Sequence, residues 1–346
     1  MDFKINNLRS NPSSIFVIAE IGHNHQGNLS ICKDMFRAAK EAGADAVKLQ
    51  KRNNKTLFTK ALYDEPYTSE NSYAPTYGEH REKLEFNKEQ YLDLLAYAKE
   101  IDIIFFATAF DFESLDFLIS IDMPAYKIAS GDLTNTPLQE KIAKTGKPVL
   151  LSTGGGNFID IERAVKNISK HNKNLILFHC TASYPANVED MNLNVIPELK
   201  RIYPDVLIGL SDHENGIDAA SVAYMLGARV FEKHFTLNRS WKGTDQSFSL
   251  EPEGLRKLVR NLNRIPFLLG SSNKQLLESE KKPLKKMAKS IVAKRPLSEG
   301  HVITFDDIAL KCPSGGLPPY EIENVIGKKL KSKVFEDDFI LLDNLK

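Results

Sequence analysis

Over roughly the first 270 residues, short apolar, β-branched runs alternate with stretches whose apolar positions recur at helical spacing. Strands are predicted over 16–21, 46–50, 103–108, 125–129, 149–152, 175–179, 206–210 and 230–234. Helical period occupies intervals between them, at 29–42, 88–100, 114–121, 138–145, 159–169 and 217–226, and Gly43, Gly146 and Gly227 stand where helices would stop. Eight βα units in about 270 residues match the size of a closed (β/α)8 TIM barrel. An open doubly wound sheet usually has fewer strands, and the GHNHQG run after the first strand lacks its G-x-G-x-x-G spacing. The stretch 52–85, rich in Tyr, Pro and charge, is predicted as a loop extending one βα connection.

The texture changes near Ser271. Residues 271–290 are charged and helix-compatible and read as a linker. Residues 291–346 show short strand-like runs broken by turn signals, the pattern of a small β-rich domain too small to be comfortable alone. The predicted division is therefore a catalytic barrel over 1–270, the linker, and a second domain over 291–346. A length of 346 residues, at roughly 150 per domain, agrees with two domains.

Composition narrows the partners. The 46 basic and 45 acidic side chains leave a net charge of +1, so neither nucleic acid nor an anionic membrane is indicated. No apolar run reaches the ~18–20 residues of a spanning helix, and the polar start carries no signal-peptide core. Cys32, Cys180 and Cys312 match neither a zinc spacing nor a disulfide framework, which fits a reducing cytoplasm.

In such a barrel the chemistry sits at the carboxyl ends of the strands. Polar residues gather there: Glu20, Lys48 and Gln50, Thr108, Lys127 and Ser130, Ser152, His179 with the 181–184 turn, Ser211 and His213, Glu232 and His234. Lys48 and Lys127, with the hydroxyls of Ser130, Ser152 and Ser211, suggest a cationic pocket for a phosphate and a carboxylate on one small ligand. The competing reading pairs each lysine with a strand-end carboxylate, Glu20 or Glu232. His213 and His234 lie at adjacent strand ends, where neutral imidazoles could share a divalent metal. His23 and His25 are rivals for that role, although His25 could equally hold its loop by hydrogen bonds. Glu20 is placed either for proton transfer or as a buried structural carboxylate.

The runs AEIGHNHQG, AVKLQ, FFATAFD, YKIASGD, LSTGG, HCTASYP, GLSDH, EKHFTLNRSWKGTDQSFSLEP and KRPLSEGHVITFDDIALK resemble, in order and over nearly the whole chain, those of the sialic acid (N-acetylneuraminate) synthases. The resemblance implies a TIM barrel followed by an antifreeze-like (SAF) domain. It further implies condensation of phosphoenolpyruvate with an N-acylated hexosamine such as N-acetylmannosamine, using manganese or magnesium. The expected assembly is a domain-swapped homodimer in which one chain's SAF domain covers the other's barrel mouth. Carried over by position, His213 and His234 would be the metal ligands. Lys48, Thr108, Lys127, Ser130, Ser152 and Ser211 would hold phosphoenolpyruvate, with Lys48, Lys127 and Glu20 catalytic. Gln50, Phe110, Asp132, Tyr184 and Asp245 would face the sugar.

Three positions depart from the family pattern. Ala182 stands where some members carry Asn, Asp132 where bacterial relatives carry Glu, and Cys312 where they carry an Arg that meets the acyl group. The acceptor therefore stays open between N-acetylmannosamine, its 6-phosphate and a diacetamido hexose of the legionaminic or pseudaminic type. Two other readings compete: a Schiff-base aldolase using Lys48, Lys127 or Lys233, and a non-catalytic protein that binds an anionic sugar.

Overall fold

The computed structural model describes residues 14–346, and the polar stretch that precedes them lies outside the described residues. Two compact units divide the chain between Leu269 and Gly270. The first is the barrel: β1 (Phe16–Gly22), β2 (Ala46–Lys51), β3 (Ile104–Ala109), β4 (Tyr126–Ile128), β5 (Val149–Ser152), β6 (Leu175–Cys180), β7 (Leu207–Asp212) and β8 (Val230–His234). All neighbours pair in parallel and β1 meets β8, so the sheet closes.

Both faces of each strand are buried, which is why the sequence shows near-continuous apolar runs and little alternation. Phe16 and Ile18 share an interior cluster with Ala46, Phe106, Leu150, Ile176 and Phe178, whereas Val17, Ala19 and Ile21 join the core between strands and helices. Period two therefore sends Glu20, Lys48, Thr108, Lys127, Ser152, Ser211 and Glu232 inward above that interior cluster. Register keeps them level: Glu20 is opposite Lys48 and His234, Thr108 opposite Lys127, and Ser211 opposite Glu232.

The surrounding helices are α1 (Leu29–Glu41), α2 (Lys88–Glu100), α3 (Phe112–Ser120), α4 (Thr136–Ala143), α5 (Phe158–Ser169), α6 (Val195–Ile202), α7 (Asp218–Met225) and α8 (Pro252–Leu269). Asn28, Asn87, Asp111 and Asn157 cap α1, α2, α3 and α5 with side-chain oxygens. Helix α8 buries Leu255, Leu258, Val259, Leu262 and Ile265 along one stripe. Gly43 ends α1 at φ +91°, and a Cβ there would lie 3.1 Å from Val259 of α8. The 52–85 connection is more structured than its composition suggested. It carries helical turns at Asn54–Leu57, Lys60–Tyr63 and Tyr77–Glu82, with Thr59 and Thr76 capping the second and third.

The second unit spans Gly270–Lys346. Half of the stretch read as a linker forms α9 (Glu278–Met287), a charged helix that buries none of its residues. Beyond it, β9 (Ser290–Ala293) pairs antiparallel with β10 (Ile308–Lys311). Ile291, Ile303, Val325 and Ile340 are fully buried in this unit's own core. Among the described residues no helix is long and apolar enough to cross a membrane.

Candidate active site

A cavity of about 520 Å³ opens at the carboxyl ends of the barrel strands, a size suited to small-molecule ligands. Glu20, Lys48, Gln50, Thr108, Phe110 and Lys127 line it, as do Ser130, Ser152, Tyr184, Ser211, His213, His234 and Asp245. Of the residues that the resemblance assigns to substrate or metal, Asp132 is the one not in its lining. Asp132 lies in a 3-10 turn after β4, where its carboxylate accepts a hydrogen bond from Asn135 Nδ2 at 2.9 Å.

The floor sets counter-charges beside both lysines, as the competing reading of paired strand-end carboxylates holds. Lys48 Nζ lies 2.9 Å from Glu20 Oε2 and 3.6 Å from Glu232 Oε1, and donates to Thr108 Oγ1 at 2.9 Å. Lys127 Nζ donates to Ser152 Oγ at 2.7 Å and to Glu232 Oε1 at 3.1 Å. Ser211 Oγ donates to the same Glu232 oxygen at 3.1 Å, and Gln50 Nε2 to Glu20 Oε1 at 2.7 Å. Two ammoniums and two carboxylates thus balance in a water-poor setting, since an unpaired buried charge would cost several kcal/mol.

The charges act on one another accordingly. Burial would push the Lys48 ammonium down, but Glu20 and Glu232 hold it above its usual range. Lys127 is pushed down by burial, with Glu232 opposing and Lys48 adding to the effect. Burial would raise the Glu232 carboxyl, yet Lys127 and Lys48 bring it to about 2. Glu232 Oε2 and Glu20 Oε2 are buried outside hydrogen-bonding geometry with any partner among the described residues, although Glu20 Oε2 lies 2.9 Å from the Lys48 ammonium.

The loops after β4, β5 and β6 meet at a close approach. Ser130 Oγ accepts from Gly154 N at 3.1 Å and lies 3.5 Å from Cys180 Sγ. A Cβ on Gly154 would sit 2.7 Å from Ser130 Oγ and 2.8 Å from Ala182 Cβ, so glycine is required there. Ala182 lines the cavity with a methyl group and offers it no side-chain polar atom. Strand parity corrects one strand-end assignment: His179 turns outward, its Nε2 2.6 Å from the Met191 carbonyl oxygen, and Cys180 takes the inward place.

His213 and His234 are neighbours, with ring centroids 5.3 Å apart. His213 Nδ1 donates to the Thr181 carbonyl at 2.9 Å, which fixes the tautomer and presents Nε2 as a lone pair. Burial, then His234, lower the His213 ring to about 3, keeping it neutral. His234 Nδ1 is buried without a hydrogen-bond partner and lies 3.8 Å from Asp245 Oδ2. Two adjacent imidazoles, one with an unpartnered nitrogen, beside a carboxylate have the donor chemistry of a divalent-cation site. Among the described residues no group of three or more His, Cys, Asp or Glu is arranged to hold a metal ion by itself. The rivals are engaged elsewhere: His25 Nδ1 accepts from Gly27 N at 3.0 Å with its ring stacked on Phe86, and His23 pairs with Glu85.

Two lining residues escaped sequence reasoning, Arg52 and Arg81. Arg52 continues the inward stripe of β2 two positions beyond Gln50, a signal that the pattern contained. Arg81 lies far along the 52–85 connection, where no strand-end rule reaches. Cys312 belongs to the second unit, where it is exposed and its Sγ donates to the Met287 carbonyl at 3.1 Å.

Comparison with known proteins places the chain among relatives. Residues 35–274 match the NeuB family and residues 288–346 the SAF domain. N-acetylneuraminate-9-phosphate synthase of Homo sapiens is 43% identical over 333 residues, covering 95% of this chain and 93% of that protein. N,N'-diacetyllegionaminic acid synthase of Campylobacter jejuni is 35% identical over 330 residues, covering 94% of this chain and 98% of that one. The crystal structure of N-acetylneuraminic acid (sialic acid) synthetase from Leptospira borgpetersenii, in complex with citrate, superposes with a TM-score of 0.68 at 36% identity. It covers 79% of this chain and 91% of that one. The chain is a condensing synthase that belongs to the NeuB family of sialic acid synthases and ends in a SAF domain.

Proposed function

We propose that this enzyme condenses phosphoenolpyruvate with an N-acylated hexosamine, using a divalent metal and water, to give a nine-carbon 2-keto sugar acid and phosphate. The observation that carries the reading is the floor, where Lys48, Lys127, Thr108, Ser152 and Ser211 converge on one small volume. There the ammoniums would exchange part of their pairing with Glu20 and Glu232 for the phosphate and carboxylate of phosphoenolpyruvate, the hydroxyls adding hydrogen bonds. Holding both anionic ends orients the enol face, chiefly a positioning contribution.

His213 and His234 would hold manganese or magnesium, with water and substrate oxygens filling the open positions; when bound, the metal polarises the acceptor's aldehyde oxygen as a Lewis acid. The C3 carbon of phosphoenolpyruvate forms the new bond to the aldehyde carbon. The former aldehyde oxygen takes up a proton to become a hydroxyl, and water adds at C2, Glu20 taking its proton. Cleavage of the C2–O bond then releases phosphate and leaves the ketone. Gln50, Phe110, Tyr184 and Asp245 are placed at the wall to meet the sugar, whereas Asp132 is not. A homodimer in the cytoplasm completes the proposal; the resemblance supports the first, and three free thiols agree with the second.

The test is phosphate release from phosphoenolpyruvate with manganese and a panel of hexosamines, with and without EDTA. Metal-dependent release with one sugar is expected, and His234→Ala should lose both the activity and at least tenfold in manganese affinity measured by calorimetry. The Schiff-base alternative draws support from Lys127, whose ammonium burial depresses. Activity that survives EDTA and is lost on borohydride treatment with substrate would establish it. Lys233 does not serve that reading, because it is buried and ion-paired to Asp212 at 2.6 Å.

A further inference from the structure

The loop that follows β8 carries Asp245 into the cavity wall, its Oδ2 3.8 Å from His234 Nδ1. Two sets of hydrogen bonds hold this loop. On its carboxyl-terminal side, Asn24 Nδ2 donates to Phe235 O and to Ser249 Oγ, both at 2.9 Å, and Ser249 Oγ donates to Asp245 O at 2.5 Å. On its amino-terminal side the partners come from other loops. Lys242 O accepts from Tyr73 Oη at 2.7 Å and from Gln26 Nε2 at 2.8 Å, which occupies both lone pairs of the carbonyl. Gly243 N donates to Asn71 Oδ1 at 3.0 Å, in a backbone conformation of φ +147° that glycine adopts without strain.

Asn71 and Tyr73 lie at the tip of the 52–85 connection. An antiparallel bridge between Pro66 and Thr76 closes that tip, and Tyr67 N donates to Pro75 O at 2.9 Å. The buried His80 braces it: His80 Nδ1 accepts from Tyr73 N at 3.1 Å, and the two rings stack with centroids 5.7 Å apart. The Lys242 ammonium lies 4.9 Å from the centre of the Tyr73 ring, a further attraction between tip and loop. The tip is thus fixed within its own connection. Its two polar contacts land on the residues that immediately precede Thr244 and Asp245 in the cavity wall.

We infer that Asn71 and Tyr73 are positioning residues that hold the 242–245 turn, keep the Asp245 carboxylate beside His234, and so set the affinity of the His213–His234 pair for a divalent cation. The inference rests on the metal reading above and goes beyond it, because neither residue lines the cavity. A carboxylate next to a ligating imidazole orients the ring and adds negative charge near the cation, and its removal typically costs tenfold to a hundredfold in metal affinity. Removing one of the bonds that place the carboxylate costs less, about twofold to tenfold, the net worth of a single neutral hydrogen bond.

The test is calorimetric titration of the full-length enzyme with manganese. Tyr73→Phe, which removes only the hydroxyl, and Asn71→Ala should each weaken manganese binding by about twofold to tenfold. Asn71→Asp keeps an acceptor for Gly243 N and should recover most of the affinity. Asp245→Asn should lose about tenfold to a hundredfold. Adding Tyr73→Phe to Asp245→Asn should cost less than about twofold more, since the hydroxyl then has no carboxylate to place. KM for phosphoenolpyruvate should change less than about twofold in Tyr73→Phe and Asn71→Ala. Tyr63→Phe, which breaks a bond to Glu82 in the same connection, should bind manganese as the wild type does. If Asn71→Ala fails to fold, Tyr73→Phe and its combination with Asp245→Asn decide alone. Wild-type affinity in Tyr73→Phe and Asn71→Ala, with manganese lost in His234→Ala, would overturn the positioning role and leave the metal reading intact. Losses that add in the double variant would overturn it too. A wild type that binds no manganese, or His234→Ala that binds it normally, would overturn the metal reading and this inference with it.

Discussion

Glu232→Gln is the sharpest probe of the charge-balanced floor. Glu232 Oε1 lies 3.1 Å from Lys127 Nζ and 3.6 Å from Lys48 Nζ, and accepts from Ser211. A carboxyl held at about 2 against its ordinary 4.5 corresponds to about 3 kcal/mol of stability at neutral pH. The amide keeps the shape and an oxygen for Ser211 but leaves both ammoniums facing Glu20 alone. The expected loss is about 3 kcal/mol, at the low end for breaking a buried pair. At ~2–4 °C per kcal/mol for a unit of this size, the melting temperature falls by roughly 6–12 °C. Because the folded carboxyl is depressed, its contribution is complete above about 4.5 and disappears as pH falls toward about 2. The gap between wild type and variant should therefore be about 1 kcal/mol narrower near pH 4 than near neutrality. An added anion should also compensate the variant's surplus charge, so phosphate or phosphoenolpyruvate should raise its melting temperature more than the wild type's. Calorimetry of the full-length protein at both pH values, with and without millimolar phosphate, reads all three. A variant as stable as wild type at neutrality, or a gap that widens on acidification, would refute the reasoning.

Two further outcomes follow from local geometry. Gly154→Ala pushes a Cβ to 2.7 Å from Ser130 Oγ and 2.8 Å from Ala182 Cβ, so the loops must part. KM for phosphoenolpyruvate should rise more than KM for the sugar, with about 1–3 kcal/mol lost in urea unfolding. His25 is lowered from 6.5 to about 3 by burial and by His23, so the unfolded chain takes the proton first. Its contribution is full above 6.5 and declines below it, by about 2 kcal/mol at pH 5; His25→Asn, compared with wild type by unfolding at both pH values, should lack that decline.

The barrel was legible because a strand buried on both faces leaves an unmistakable apolar run, and eight such runs separated by helical period admit few architectures. Strand parity was harder to read. Ending the sixth strand at His179 put a histidine in the mouth, whereas one more residue of strand turns it outward and brings Cys180 in. The same one-residue uncertainty hides Arg52, since a strand ended at Gln50 discards the next inward position. Helix α9 was read as a linker because most of its residues are charged and none is buried, so Leu284 and Met287 alone make too short an apolar stripe to mark it. Asp132 was placed at the sugar by resemblance, but the local turn commits its carboxylate to Asn135, a partner three residues away that a motif does not reveal.

The two readings of the floor lysines, anion pocket and buried ion pairs, turn out to be compatible. Two ammoniums in a closed barrel mouth need counter-charges before substrate arrives, and Glu20 and Glu232 supply them without filling the cavity. A substrate with two anionic ends then competes for cations already held in position, and its arrival must displace or reorient the pairs. Each glutamate has one buried oxygen outside hydrogen-bonding geometry, that of Glu20 lying 2.9 Å from Lys48 Nζ, so displacing the pair changes the surroundings of both carboxylates. One strand carries the whole gradient, with Ala46 packing the interior, Lys48 neutralised on the floor, Gln50 holding Glu20, and Arg52 stacked on Phe110 in the cavity wall.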